Sequence, residues 1–128
     1  MDGYKIFYEG VSEGNFHGIV VYVSKDLTVT QMEPNIPFRE CLLLRIEMAV
    51  GDTIIFGTFY RSPNTNCDND SELLRLISYL NENYKEQLIA VGDFNFSNID
   101  WQSWTGILMR NLLMFYKKWF KTVCSRTN

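Results

Sequence analysis

The sequence predicts a mixed α/β fold, a sheet flanked by helices, on three observations. Runs rich in β-branched and apolar residues recur at Ile19–Val23, Cys41–Met48 and Thr53–Tyr60. A helical period follows, with Leu73, Leu76, Ile77, Leu80 and Tyr84 on one stripe. A further apolar run, Leu88–Val91, then returns as a strand. The order strand, loop, helix, strand is that of a sheet with a helix packed against it.

Each element follows from its residues. His17-Gly18 leads into Ile19-Val20-Val21-Tyr22-Val23, a β-branched run expected to be a buried strand. Asp26 to Glu33 predicts a short strand, and Pro34 and Pro37 mark the loop after it. In Cys41–Met48, Leu42, Leu44, Ile46 and Met48 alternate with Arg45 and Glu47, so one face is apolar. Gly51-Asp52 is a turn signal, and Thr53–Tyr60 is expected to pair back as an antiparallel hairpin. Arg61 to Asp70 is a polar loop whose Asp70 or Ser71 is suited to cap the next helix. The stripe from Leu73 to Tyr84 predicts an amphipathic helix. Leu88 to Asp93 then predicts a strand ending on a carboxylate.

The last quarter has a different character. Leu108, Leu112, Phe115, Trp119 and Val123 follow a helical period, which predicts a basic, apolar C-terminal helix within 104–128. That helix suits either the core of the same domain or a basic amphipathic surface outside it.

Composition narrows the class. At 128 residues the chain is long enough for one domain with a real core, but not for two. With 46% hydrophobic and 15% aromatic residues it is not disordered by composition. Charge is unevenly spread. Residues 1–103 hold fifteen acids against seven bases, a net charge of −8, whereas 104–128 hold five bases and no acid. The acidic part would not hold a polyanion by charge alone, so a nucleic-acid contact there would rest on a metal or a few placed donors. Cys41, Cys67 and Cys124 show no CxxC spacing, and the expectation is three reduced thiols in an intracellular protein. Asp2, Lys5 and Glu9 interrupt the start, so no signal peptide is expected. The longest apolar stretch, Ile107 to Tyr116, is short for a bilayer and is broken by Arg110 and Asn111.

Two polar corners carry the chemistry. Gly92-Asp93-Phe94-Asn95 follows the Leu88–Val91 strand, and Tyr60-Arg61-Ser62-Pro63-Asn64 follows the Thr53–Phe59 strand. On an extended segment, residues two apart project to one side, so Asp93 and Asn95 are placed to face one ligand. If both strands share a sheet, its edge offers a phenol, a guanidinium, two amides and a carboxylate. That set suits a phosphate ester: donors for its oxygens, and an acid to orient water or metal. The bland alternative for Gly92–Asn95 is a turn with an Asx cap. His17, the only histidine, reads as a surface or turn residue rather than a ligand.

The segments Gly18–Val23, Thr58–Asn64, Leu88–Asn95 and Asn98–Trp101 resemble, in order, the endonuclease/exonuclease/phosphatase superfamily. More narrowly they resemble the endonuclease domain of non-LTR retrotransposons, which is similar to apurinic/apyrimidinic endonucleases. The resemblance spans Phe16 to Trp101 and rests on the Tyr-x-x-Pro-Asn and Gly-Asp-Phe-Asn pair with a helix between. It implies a four-layer α/β sandwich, here incomplete, that cuts phosphodiesters of DNA with Mg²⁺ or Mn²⁺. By that resemblance Asp93 orients or activates the attacking water. Asn95 helps hold the scissile phosphate, Tyr60 touches the phosphate or its transition state, and Asn64 is a secondary substrate contact.

The departures shape the expectation. The family's early strands carry an Asn and a metal-binding Glu, and its last strand an Asp-His pair, and this chain has no counterpart of either. The expectation is therefore a single truncated domain over residues 1–128, weakly active or inactive alone. The alternatives are a non-catalytic remnant or interaction fragment, and a phosphatase sharing Asp93 and Asn95. The implied partners are DNA and the rest of a retroelement polyprotein, with no membrane and a nuclear location. A sandwich lacking outer elements is also expected to leave a sheet edge and an apolar face uncovered.

Overall fold

The computed structural model describes residues 2–10, 18–48, 51–63, 65–95 and 121–123. Among these residues it is an α/β fold with two sheets and one helix. Strands β1 (Tyr4–Glu9) and β2 (Ile19–Ser24) form an antiparallel two-stranded sheet. Strands β3 (Thr28–Met32), β4 (Cys41–Glu47), β5 (Thr53–Tyr60), β6 (Gln87–Asp93) and β7 (Lys121–Val123) form the second sheet in that spatial order. Pairing is antiparallel from β3 to β5 and parallel from β5 to β7, so the sheet is mixed. Helix α1 (Cys67–Asn83) makes the crossover that parallel β5 and β6 require.

Alternation along β4 and β5 builds a core on each face of the large sheet. Leu43, Ile55 and Phe59 turn to one side and meet Leu73, Leu76, Ile77 and Leu80 of α1. Burying each of those four helix side chains stabilises by about 1.5–3 kcal/mol. On the other side Leu42, Leu44 and Ile46 pack with Ile19 and Val23 of β2. Three layers result: helix, five-stranded sheet, two-stranded sheet. Among the described residues nothing packs on the far face of the two-stranded sheet, where Tyr4, Ile6, Tyr8, Val20 and Tyr22 are all exposed. Ile6 lies opposite Tyr22 and Tyr8 opposite Val20, so these side chains form one continuous patch.

Four features differ from the sequence expectation. Strand β2, expected to be buried, is buried on one face only: Ile19 and Val23 are enclosed, whereas Val20 and Tyr22 are exposed, because only one side of the two-stranded sheet meets the large sheet. Strand β1 was not anticipated, although Tyr4, Ile6 and Tyr8 alternate with Lys5, Phe7 and Glu9 as a half-buried strand does. The helix begins earlier than Asp70 or Ser71. Asn66 is its cap, its side chain accepting the Asn69 N–H at 3.0 Å, with Asp68 and Asp70 in the first turn where the helix dipole favours acids. The C-terminal period carries through Val123, yet Lys121–Val123 is a strand. The open edge of β6 offers unpaired backbone groups, and β-branched Thr122 and Val123 suit a strand better than a helix. The rest of the anticipated helix, with His17 and Asn98–Trp101, lies outside the described residues.

A candidate phosphate-binding rim at the ends of β5 and β6

The last pair in the parallel ladder of β5 and β6 is Tyr60 with Asp93. The two corners singled out from the sequence therefore leave the sheet side by side at the same end. In α/β sheets the carboxyl ends of parallel strands are where ligands are held. Phe59 and Phe94 turn toward α1 and stack with ring centroids 6.0 Å apart. The intervening alternation sends Tyr60 and Asp93 to the opposite face. Tyr60 is half-buried against the second core, and Asp93 is exposed.

Glycine at position 92 has a steric cause. Its φ is +152°, and a Cβ there would lie 1.8 Å from the Phe59 carbonyl oxygen. Only a residue without a side chain lets β5 and β6 approach so closely next to the rim. The following residues turn sharply. Asn95 has φ +44°, a left-handed conformation that Asn tolerates better than most residues. Its N–H donates to Asp93 Oδ1 at 3.3 Å, as in an Asx turn.

Arg61 joins the two corners. Its N–H donates to the Asp93 carbonyl at 2.8 Å, and its Nη1 to the Asn95 carbonyl at 2.8 Å. Asn95 Nδ2 donates back to the Arg61 carbonyl at 3.0 Å. The guanidinium also forks onto Asp70 in the first turn of α1, with Nε–Oδ1 at 2.5 Å and Nη2–Oδ2 at 3.1 Å. Glu40, at the foot of β4, secures the same loop from the other side. Its carboxylate accepts from the Ser62 hydroxyl, from Ser62 N–H at 3.3 Å and from Asn69 Nδ2 at 3.5 Å. Its carbonyl accepts from Tyr60 N–H at 2.9 Å.

The structure thus brings Tyr60, Asp93 and Asn95 to one rim, and Asn64 lies outside the described residues. One amide proton of Asn95 is already committed to the Arg61 carbonyl, which leaves its carboxamide oxygen and second proton for other contacts. Sequence reasoning counted the Arg61 guanidinium among the donors offered at the sheet edge, whereas it is buried and turned onto Asp70 and the Asn95 carbonyl, and it did not single out Glu40. The partners of the Glu40 carboxylate lie 22 and 29 residues away, so no local pattern marks it. Arg61 carried one signal, a lone base in a loop with Asp70 nine residues on.

A divalent cation such as Mg²⁺ takes several oxygen ligands in near-ideal geometry. Among the described residues, no group of three or more His, Cys, Asp or Glu side chains gathers to supply them, and Asp93 is the rim's one exposed carboxylate. The described set does not by itself fit a Mg²⁺ or Mn²⁺ site. Among the described residues no helix is long and apolar enough to cross a membrane.

Fold and rim together define an α/β protein with a polar corner at the carboxyl ends of adjacent parallel strands. Comparison with protein-family models, with curated proteins and with solved structures finds no match.

Proposed function

We propose that the chain is a phosphodiester-recognising endonuclease domain of the endonuclease/exonuclease/phosphatase type, similar to that of non-LTR retrotransposons and directed at DNA in the nucleus. The observation that supports this most is the pairing of Tyr60 with Asp93 at one sheet end. In this reading the Tyr60 phenol donates to a non-bridging phosphate oxygen. The Asp93 carboxylate orients the attacking water and takes its proton, and the remaining amide proton of Asn95 steadies the phosphate. The acidic balance of residues 1–103 means that these few donors, rather than a basic surface, must provide the grip. The family's metal, Mg²⁺ or Mn²⁺, would need oxygen ligands beyond those described.

A second reading, binding without cleavage, is favoured by the rim's having one exposed carboxylate among the described residues. Two measurements separate them. Amide shifts on titration with a thymidine dinucleotide should cluster at Tyr60–Ser62 and Gly92–Asn95, and shifts elsewhere or none would overturn both readings. Nicking of supercoiled plasmid in Mg²⁺ should be slow and lost in Asp93→Ala, since a general base is worth roughly 10²–10⁴ in rate. Nicking that survives the substitution would remove Asp93 from the chemistry, and no nicking beside normal dinucleotide binding would leave the binding reading.

A further inference from the structure

Arg61 is the only polar or charged residue buried among the described residues, at 7% exposure. Burying an ion pair is a poor way to gain stability, because desolvation costs several kcal/mol per ion and a well-packed apolar replacement is often as stable. A buried fork is better suited to holding a geometry. The planar guanidinium fixes both distance and angle to a carboxylate, which a lysine ammonium does not.

Its contacts show which geometry is held. One residue ties the end of β5, the first turn of α1 and the end of β6. The exchange with Asn95 is reciprocal: the side chain of each donates to the backbone carbonyl of the other. That exchange holds Asn95 in its left-handed conformation. Residues 60 and 61 are adjacent, as are the rim residues 93 to 95, so the clamp spans the gap across which a phosphate would sit.

We infer that Arg61, braced by Asp70, is the positioning residue of the rim: it sets the separation and orientation of Tyr60 against Asp93 and Asn95 without itself touching substrate. This rests on the phosphodiester reading above. A misplacement of about 1 Å costs as much as 10²-fold where reacting groups must be aligned, so the clamp's effect on binding is expected to exceed its effect on folding.

The test uses Arg61→Lys and Asp70→Asn in the full chain, with three readouts. The first is the urea midpoint. The second is the thymidine dinucleotide dissociation constant from amide shifts. The third is the one-bond Cα–Hα coupling of Asn95, which separates a positive φ from a negative one and needs no ligand. Each variant should weaken the dinucleotide by at least about tenfold and shift the Asn95 coupling toward its ordinary range. The double variant should lose no more than the worse single one, because both remove the same brace. Arg61→Ala should recover affinity when ethylguanidinium is added, while added methylammonium should not restore it.

Dinucleotide affinity kept within about twofold in both folded variants would overturn the proposal, as would an unchanged Asn95 coupling. If neither variant folds, Arg61 is a stability residue and the proposal falls. If the unaltered chain gives no shifts at the rim, the phosphodiester reading fails. A coupling change in Arg61→Lys would then still show that the clamp exists and that what it positions is not a phosphate site.

Discussion

Replacing Gly92 with alanine should be among the most damaging single-methyl changes in this chain. The added Cβ would stand 1.8 Å from the Phe59 carbonyl oxygen, 2.7 Å from its carbon and 2.9 Å from the Phe59 nitrogen. All three atoms are backbone, so no side chain can swing aside. Restoring an ordinary 3.4 Å contact requires β5 and β6 to part by roughly 1.6 Å. Taken up along the Arg61 N–H···O=C Asp93 bond, now 2.8 Å, that opening gives roughly 4.4 Å, which is no longer a hydrogen bond. Each ladder bond lost costs about 0.5–1.5 kcal/mol, and a side chain at φ +152° adds strain of about 1–3 kcal/mol. With that one bond lost, the total should be about 1.5–4.5 kcal/mol, a large share of the about 5–15 kcal/mol of a typical domain. Urea unfolding followed by circular dichroism measures it. Gly57→Ala is the control, because its Cβ meets side-chain atoms rather than backbone, the Phe59 ring at 2.6 Å and Leu43 at 3.0 Å, at a longer distance than the 1.8 Å of Gly92. A Gly92→Ala midpoint equal to that of the unaltered chain, or higher than that of Gly57→Ala, would refute the reasoning.

Four further outcomes are expected. Asn66→Ala should cost about 1 kcal/mol by removing the side-chain acceptor for the Asn69 N–H, read from the same urea curves. Leu76→Ala should cost about 2–5 kcal/mol, since Leu76 is fully enclosed between α1 and the sheet, and a loss below 1 kcal/mol would contradict that packing. Burial, with Glu9 adding to it, pushes the Cys41 thiol from 9.0 up to about 12. Between those values the folded thiol keeps its proton and the unfolded one has lost it, so stability should fall as pH rises through that window. Cys41→Ser should flatten that slope, and thiol reagents at pH 8 should reach exposed Cys67 well before Cys41. Finally, Ile6→Thr with Tyr22→Thr should raise the concentration at which the chain stays monomeric in light scattering, because both lie opposite each other on the exposed face.

The strands and helix were legible wherever a period could be read within a few residues. Leu42, Leu44 and Ile46 do share a face, and Leu73, Leu76, Ile77 and Leu80 do bury together. Cys41–Glu47 and Thr53–Tyr60 do pair as an antiparallel hairpin. Strand β1 was within reach by the same rule. The cap was misplaced because Asn66, Asp68, Asp70 and Ser71 are all competent cap residues, and only the path of the loop selects one. The end of the C-terminal period failed for a related reason: three residues beside an unpaired edge follow the edge rather than their own periodicity.

The candidate site divides along the same line. The chain's own order of residues placed a carboxylate and an amide after one apolar run and a phenol after another, and this much is local chemistry. That Tyr60 stands opposite Asp93 was decided by the parallel ladder, whose register is set by where α1 packs and how closely Gly92 lets the strands approach. That Arg61 lies inside, gripping Asp70 and Asn95, was decided by partners nine and 34 residues away. Periodicity reports only what neighbours along the chain will do, whereas desolvating a charge depends on which distant groups arrive to meet it.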